Sequence, residues 1–211
     1  MPRVDDYRHA VELGRKALLE KEPAIIADVA GAVLHKDSQG NKTLSLQYLN
    51  RDITFTWPDL RFKYSDSQEE IPIQQQILFL HYLYGTSSGA KISGEWISFQ
   101  EVPDGRFYMS AFLKRAKDPL LDHFGKNPKI FVELTRNAYG AVPFDHGDHS
   151  VIVKALPLVP IAIVIWEGDE EFPPDGNILF DRSISNILSA EDIAWLAGMV
   201  IYPLIGMISK G

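Results

Sequence analysis

Cysteine is absent from all 211 residues. That excludes disulfides, a cluster of iron and sulfur held by the chain itself, a thiol nucleophile and any zinc site with cysteine ligands. A basic face is also missing: 21 Lys and Arg stand against 28 Asp and Glu, the net charge is −7, and the cations are scattered. Polyanion binding needs clustered cations that release counterions, so nucleic acid is not an expected partner. Met1 to Ile25 carries charge throughout and has no apolar core segment, so no secretory signal is expected. Together with the missing cysteine, this points to the cytoplasm.

Several catalytic fingerprints are lacking too. Gly-x-Gly-x-x-Gly does not occur, and Thr86 to Gly89 lacks the Lys-Ser/Thr ending of a phosphate-binding loop. No Gly-x-Ser-x-Gly elbow is present for serine catalysis. One uncharged run, Ile193 to Ile208, raises the membrane question. As a helix it spans about 24 Å, short of the roughly 20 residues a bilayer needs. With Gly198, Pro203 and Gly206 inside it, a core helix is expected and a membrane span is not.

What is present suits a globular domain: 45% hydrophobic and 23% charged residues. A chain of this length buries roughly 70% of its unfolded surface and needs no staples. A single domain over residues 1–211 is expected, since no linker, repeat or low-complexity segment appears. Apolar spacing predicts a helix from Asp5 to Lys21, stopped by Pro23. A strand is expected at Ala27 to His35. Strict alternation follows in Leu44, Leu46, Tyr48, then Ile53, Phe55, Trp57, then Leu60, Phe62, Tyr64, the mark of an antiparallel meander. A helix is predicted from Ile73 to Gly85. Trp96 to Val102 and Phe107 to Phe112 flank Pro103-Asp104-Gly105 and read as a hairpin. Helices are predicted at Pro119 to Phe124, Ile130 to Tyr139 and Glu191 to Met207, the last with Ser189 as N-cap.

The centre of the sequence is Val151 to Asp181, a buried strand ending at Trp166, an acidic loop and a return strand. Glu167, Asp169, Glu170, Glu171, Asp175 and Asp181 are oxygen donors suited to a hard divalent cation, although their spacing is not that of an EF-hand. Glu171 or Asp181 instead suits fixing the loop by accepting backbone N–H bonds. A second loop reads Asp145-His146-Gly147-Asp148-His149. His146 and His149 are candidate ligands for a transition metal or an apolar cofactor ring, with the aspartates as partners of the other ring nitrogen. The His-Glu-x-x-His zinc pattern is not met. His81, inside an apolar helix, and Trp166 complete the candidate cofactor set.

The phrases LHYLYG, GEWISFQEVPDGRFY, LPLVPIAIVIWEGDEEFPPDGNILFD and LSAEDIAWLAG resemble a family catalogued as domain of unknown function number 3786. The resemblance runs from about Ile73 to Leu196, and its most specific phrase is Trp-Glu-Gly-Asp-Glu-Glu-Phe-Pro. It implies anaerobic bacteria and archaea, and in some members a neighbouring four-cysteine iron–sulfur module of the corrinoid type. It assigns no catalytic residues. With no cysteine in this chain, any such cluster belongs to a partner.

These readings lead to an α+β fold, an antiparallel sheet with helices packed on one face and a buried C-terminal helix. The expected function is a small-ligand or cofactor-binding module, for a tetrapyrrole or corrinoid, serving an iron–sulfur or one-carbon redox partner. The alternatives are a divalent-metal-dependent enzyme using the loop at 167–171, and an interaction module dimerising through the C-terminal helix.

Overall fold

The computed structural model describes residues 4–67 and 69–208. The chain divides into two compact units. The first holds the N-terminal part to Lys91 together with Leu156–Leu158 and Asn186–Leu188; the second holds Ile92–Ala155, Val159–Ser185 and the segment from Ser189 on. The α+β class stands.

In the first unit, α1 (Val4–Leu19) and α2 (Pro23–Ala30) precede β1 (Val33–Lys36), β2 (Lys42–Tyr48), β3 (Arg51–Trp57), β4 (Phe62–Tyr64) and α3 (Ile73–Gly85). The meander forms as expected, as an antiparallel sheet in the order β1-β2-β3-β4. Its alternating apolar residues point one way: Leu44, Leu46, Ile53 and Phe55 are all buried. Tyr48 and Phe62 meet Phe79 of α3 at ring-centroid distances of 5.1 and 5.8 Å. The β2–β3 turn uses Leu49 and Asn50, both with positive φ, the conformation whose twist matches a two-residue hairpin. The strand expected at Ala27 to His35 is instead a helix followed by a strand. Pro23 opens α2 at its first turn and Gly31, at φ 64°, closes it. Proline at the start and left-handed glycine at the end is a helix signature that outweighs an apolar run without alternation.

The second unit contains β5 (Trp96–Ser98), α4 (Gly105–Phe112), α5 (Asp118–Phe124), α6 (Pro128–Tyr139), β6 (Val142–Pro143), β7 (His149–Leu156), β8 (Val159–Trp166), β9 (Asp175–Asp181) and α7 (Ala190–Ile208). Its sheet runs β5-β9-β8-β7-β6, separate from the meander, so one continuous sheet is replaced by two. β8 is central, and Ile161 to Ile165 are all buried. The single buried strand expected from Val151 to Trp166 is two strands, β7 and β8, with a turn at Pro157 and Leu158 between them.

The hairpin predicted across Pro103-Asp104-Gly105 does not form. Ser98 and Glu101 make a reciprocal capping box that starts a short helical turn right after β5. Gly105 then packs so closely on the Phe99 carbonyl that no Cβ fits, and α4 begins there. Phe112 stacks on Phe99 at 4.2 Å. Phe107, which a strand would have buried in alternation, is 87% exposed.

One helix among the described residues, α7, is long and apolar enough by length and composition to cross a membrane. Here it packs against α4, α5 and α6. Ile193, Ala194, Leu196, Ala197, Val200, Ile201 and Leu204 are buried, while Tyr202 and Met207 are exposed, so the helix is partly buried. The Tyr139 hydroxyl donates to the Val200 carbonyl at 2.9 Å, beside the stretch that Pro203 deprives of a backbone donor.

Candidate functional site

The last rung of the β8–β9 ladder pairs Trp166 with Asp175. Between them lies the acidic loop. Asp169 shapes it: its carboxylate accepts the N–H groups of Glu171 and Phe172 at 2.8 Å, and its own N–H donates to the Phe172 carbonyl at 2.9 Å. Those two backbone donors hold the Asp169 carboxyl below the ordinary aspartate range. Asp169 is thereby a turn-forming residue.

The histidine loop meets the acidic loop directly. His149 Nε2 lies 2.7 Å from Glu167 Oε1, and the Glu167 N–H donates to Asp148 Oδ2 at 2.9 Å. Gly147, at φ 64°, sits over the sheet; a Cβ there would lie 2.5 Å from Val164 Cγ1 and 3.1 Å from the Trp166 indole nitrogen. This close approach brings the His146 ring edge-on to Trp166 at 6.1 Å, and the same ring lies tilted against Phe144 at 5.9 Å.

Two cavities flank this loop system. One, of about 470 Å³, is lined by Glu167, Asp169, Glu170, Glu171, Phe172 and Lys126 among others. Glu170 and Glu171 are exposed there. Among the described residues no three His, Asp or Glu side chains converge to hold a metal ion. The other cavity, of about 300 Å³, lies on the Trp166–Asp175 side. Its apolar lining is Trp166, Phe99, Phe112, Met109 and Leu113; its polar groups are Lys117, Asp175, Asn177, Gln100 and Ser98.

Lys117 enters this second cavity by a local irregularity. Leu113–Lys117 is a π-helical turn between α4 and α5. Pro119 follows two residues later and explains it: proline has no N–H for the Arg115 carbonyl, and its ring would crowd that carbonyl in a regular helix. The released Arg115 carbonyl faces Gly198 of α7, where a Cβ would stand only 2.9 Å from it. The Arg115 guanidinium lies over Trp195 at 4.3 Å, which pins the widened turn to α7. Lys117 Nζ then reaches Asp175 Oδ1 at 3.0 Å. Burial pushes the Asp175 pKa up, but the Gly176 N–H and Lys117 outweigh it and hold the carboxyl below its ordinary value.

Of the expected site residues, His146, His149, Trp166, Glu167, Asp169, Glu170 and Glu171 are brought together at one end of the sheet. Asp181 is not among them. It ends β9, about 20 Å along the strand from Asp175 by the usual rise per residue. It is 1% exposed, and its carboxylate accepts from five donors, the N–H and hydroxyl of Ser93, the N–H of Gly94, and the N–H and hydroxyl of Ser183. It therefore does not fix the acidic loop, the role expected of it; it fixes the Ser93–Gly94 segment and the turn at Ser183 instead. His81 lies half-buried on α3 in the first unit. Lys117, Asn177 and Gln100 carried no recognised motif; the one available signal was Asp118-Pro119 breaking a helical stretch.

Searches of the curated proteins and of the solved structures found no match. A family profile does match, over residues 22–202, and the chain belongs to the family described as domain of unknown function DUF3786.

Proposed function

We propose that the protein is a small-ligand-binding module whose ligand seats beside Trp166 at the open end of the β8–β9 ladder. The observation that carries this is the cavity of about 300 Å³, in which a π-helical turn delivers Lys117 against an aromatic and thioether lining. Ligand pockets are typically apolar concavities with a few placed polar groups, and π-turns in helices concentrate at functional sites. The metal-dependent alternative has weaker support, because the acids of the 470 Å³ cavity do not converge.

The finer form of the proposal keeps the redox setting implied by the family resemblance: a cofactor passed to an iron–sulfur partner. A macrocycle held by an axial imidazole has less in its favour than a smaller ligand, since His81, His146 and His149 line neither cavity.

A fragment and metabolite library screened by saturation-transfer NMR tests the reading. Hits that disappear in Trp166→Ala and persist in Lys129→Ala, which changes a residue on a different surface groove, support it. A library without hits, or hits indifferent to Trp166→Ala, overturns it. Haem and cobamide titrations followed in the visible form the arm for a large cofactor.

A further inference from the structure

Resting on the Trp166 cavity as the ligand site, the balance of hydrogen-bonding groups that remain available there assigns the ligand's chemistry. We propose that the cavity takes a small monocarboxylate with an aromatic or branched apolar body.

Consider first which polar groups are already used. The Ser98 hydroxyl donates to the Glu101 carboxylate at 2.7 Å within the capping box. Asp175 accepts from Lys117 and from the Gly176 N–H. Asn177 accepts the N–H of Ile178 at 3.0 Å. A backbone N–H can only donate, so the accepting atom of Asn177 is its oxygen, and this settles the orientation of the amide. Its NH₂ group is left over as two donors. Lys117 has three ammonium donors and Asp175 takes one. Gln100 is exposed and brings a further amide. Lys117 and Asn177 together therefore offer four N–H donors to a ligand, while the acceptor capacity left on Asp175 belongs to the more exposed partner of the ion pair, so a ligand seated against Lys117 and Asn177 must bring acceptors.

Charge narrows the class further. Lys117 is the less exposed side chain of the pair, 26% against 66% for Asp175, and its ammonium keeps two donors beyond the one that Asp175 takes. An entering carboxylate adds a second negative charge, but it lands on the Lys117 ammonium and shares it with Asp175, whose own charge stays mostly in solvent. A cationic ligand would instead have to displace Lys117 from its carboxylate. The remaining lining is apolar: Trp166, Phe112, Met109 and Leu113. At about 30 Å³ per water-sized group, 300 Å³ holds on the order of ten non-hydrogen atoms, the size of a benzoate or a branched-chain acid.

Benzoate, isovalerate, benzamide and benzylamine, titrated against the full chain and followed by chemical-shift changes and by calorimetry, test this. Benzoate or isovalerate is expected to bind, with benzamide weaker and benzylamine absent. Lys117→Met should weaken the carboxylates by about tenfold or more, the loss of a charge-assisted hydrogen bond, while changing benzamide little. Lys117→Arg should retain carboxylate binding. Because Asp175 is mostly exposed, Lys117→Met leaves no buried unpaired charge and should fold, and circular dichroism checks it. If benzamide or benzylamine binds at the Trp166 resonances as well as benzoate, and Lys117→Met changes nothing, the carboxylate assignment fails while the cavity stands. If no probe and no library compound perturbs those resonances, both readings fail together.

Discussion

Asp175 and Asp181 stand at the two ends of one seven-residue strand. The first is mostly exposed, holds one ion pair and borders a cavity. The second is sealed, and five donors saturate it. The same side chain thus does two jobs, and the difference lies in what capacity remains. A carboxylate with every lone pair engaged by its own chain fixes a loop and has nothing to offer a ligand. A group with unmet capacity, like Asn177 or Lys117 beside Asp175, is where chemistry from outside can enter. The sheet accordingly has a closed end, at β5 and the turn after β9, and an open end, at the histidine and acidic loops.

The largest effect is expected at the closed end. Asp181→Ala strands the buried N–H of Ser183 and the part-buried N–H groups of Ser93 and Gly94 and should cost about 3 kcal/mol in urea denaturation. Burial raises the Asp181 pKa, but the Ser183 hydroxyl and the three N–H groups prevail and the folded value is depressed. A depressed carboxylate stabilises fully above its unfolded value of about 4 and loses that contribution as the pH falls through the folded value. Asp181→Ala should therefore flatten the acid limb of a stability–pH curve as well as lower it. A wild-type acid slope in the mutant would erase the contrast between the two ends.

At the open end, Gly147→Ala should cost about 2 kcal/mol, from positive φ and from overlap with Val164. It should also shift the indole resonance of Trp166. A stable variant with Trp166 undisturbed would mean that the histidine loop is not held down on the sheet.

The smallest effect is expected for the pair that joins the two loops. Glu167→Gln removes the charge facing His149, and with Glu167 more than half exposed the cost should stay near 0.5 kcal/mol. The useful readout is amide hydrogen exchange across 145–149 and 167–172, which should quicken in both loops at once. Exchange altered in one loop alone would show that they act separately.

Much of the fold was legible where local rules agreed. Leu44 to Tyr64 alternates with period two and faces one core, so the meander could be traced residue by residue. Val151 to Asp181 was apolar enough to mark the centre of a sheet and Trp166 a strand end, but the break at Pro157 and Leu158 that makes two strands of Val151 to Trp166 was hidden by the apolar residues on both sides of it. Legibility failed where a short-range signal competed with a stronger one nearby. Pro103-Asp104-Gly105 suggests a hairpin, but the Ser98–Glu101 capping box five residues earlier had already set a helical course. Ala27 to His35 lacked alternation, and Pro23 and Gly31 bounded a helix that takes up its first part.

The site was half legible for a related reason. The loops around His149 and Glu167 announce themselves by composition. Lys117 does not: its place depends on a π-turn forced by Pro119 and braced by Gly198, more than seventy residues further along. Asn177 gains its meaning only from the amide orientation imposed by its neighbour's N–H. Asp181 looked like one more acid of a cluster because β9 separates it from the others only once the strand is extended.

The Tyr82 hydroxyl carries a consequence for gene design. It donates to the Ala30 carbonyl at 2.8 Å and accepts the N–H of Leu158 at 3.2 Å. Leu158 belongs to the first unit in space but is encoded far downstream of Lys91. The Ile187 carbonyl does the same at Gly85, where it leaves no room for a Cβ. No single stop codon or protease cut can release the first unit intact. Its last pieces are translated after most of the second unit, so the nascent chain cannot finish one before beginning the other.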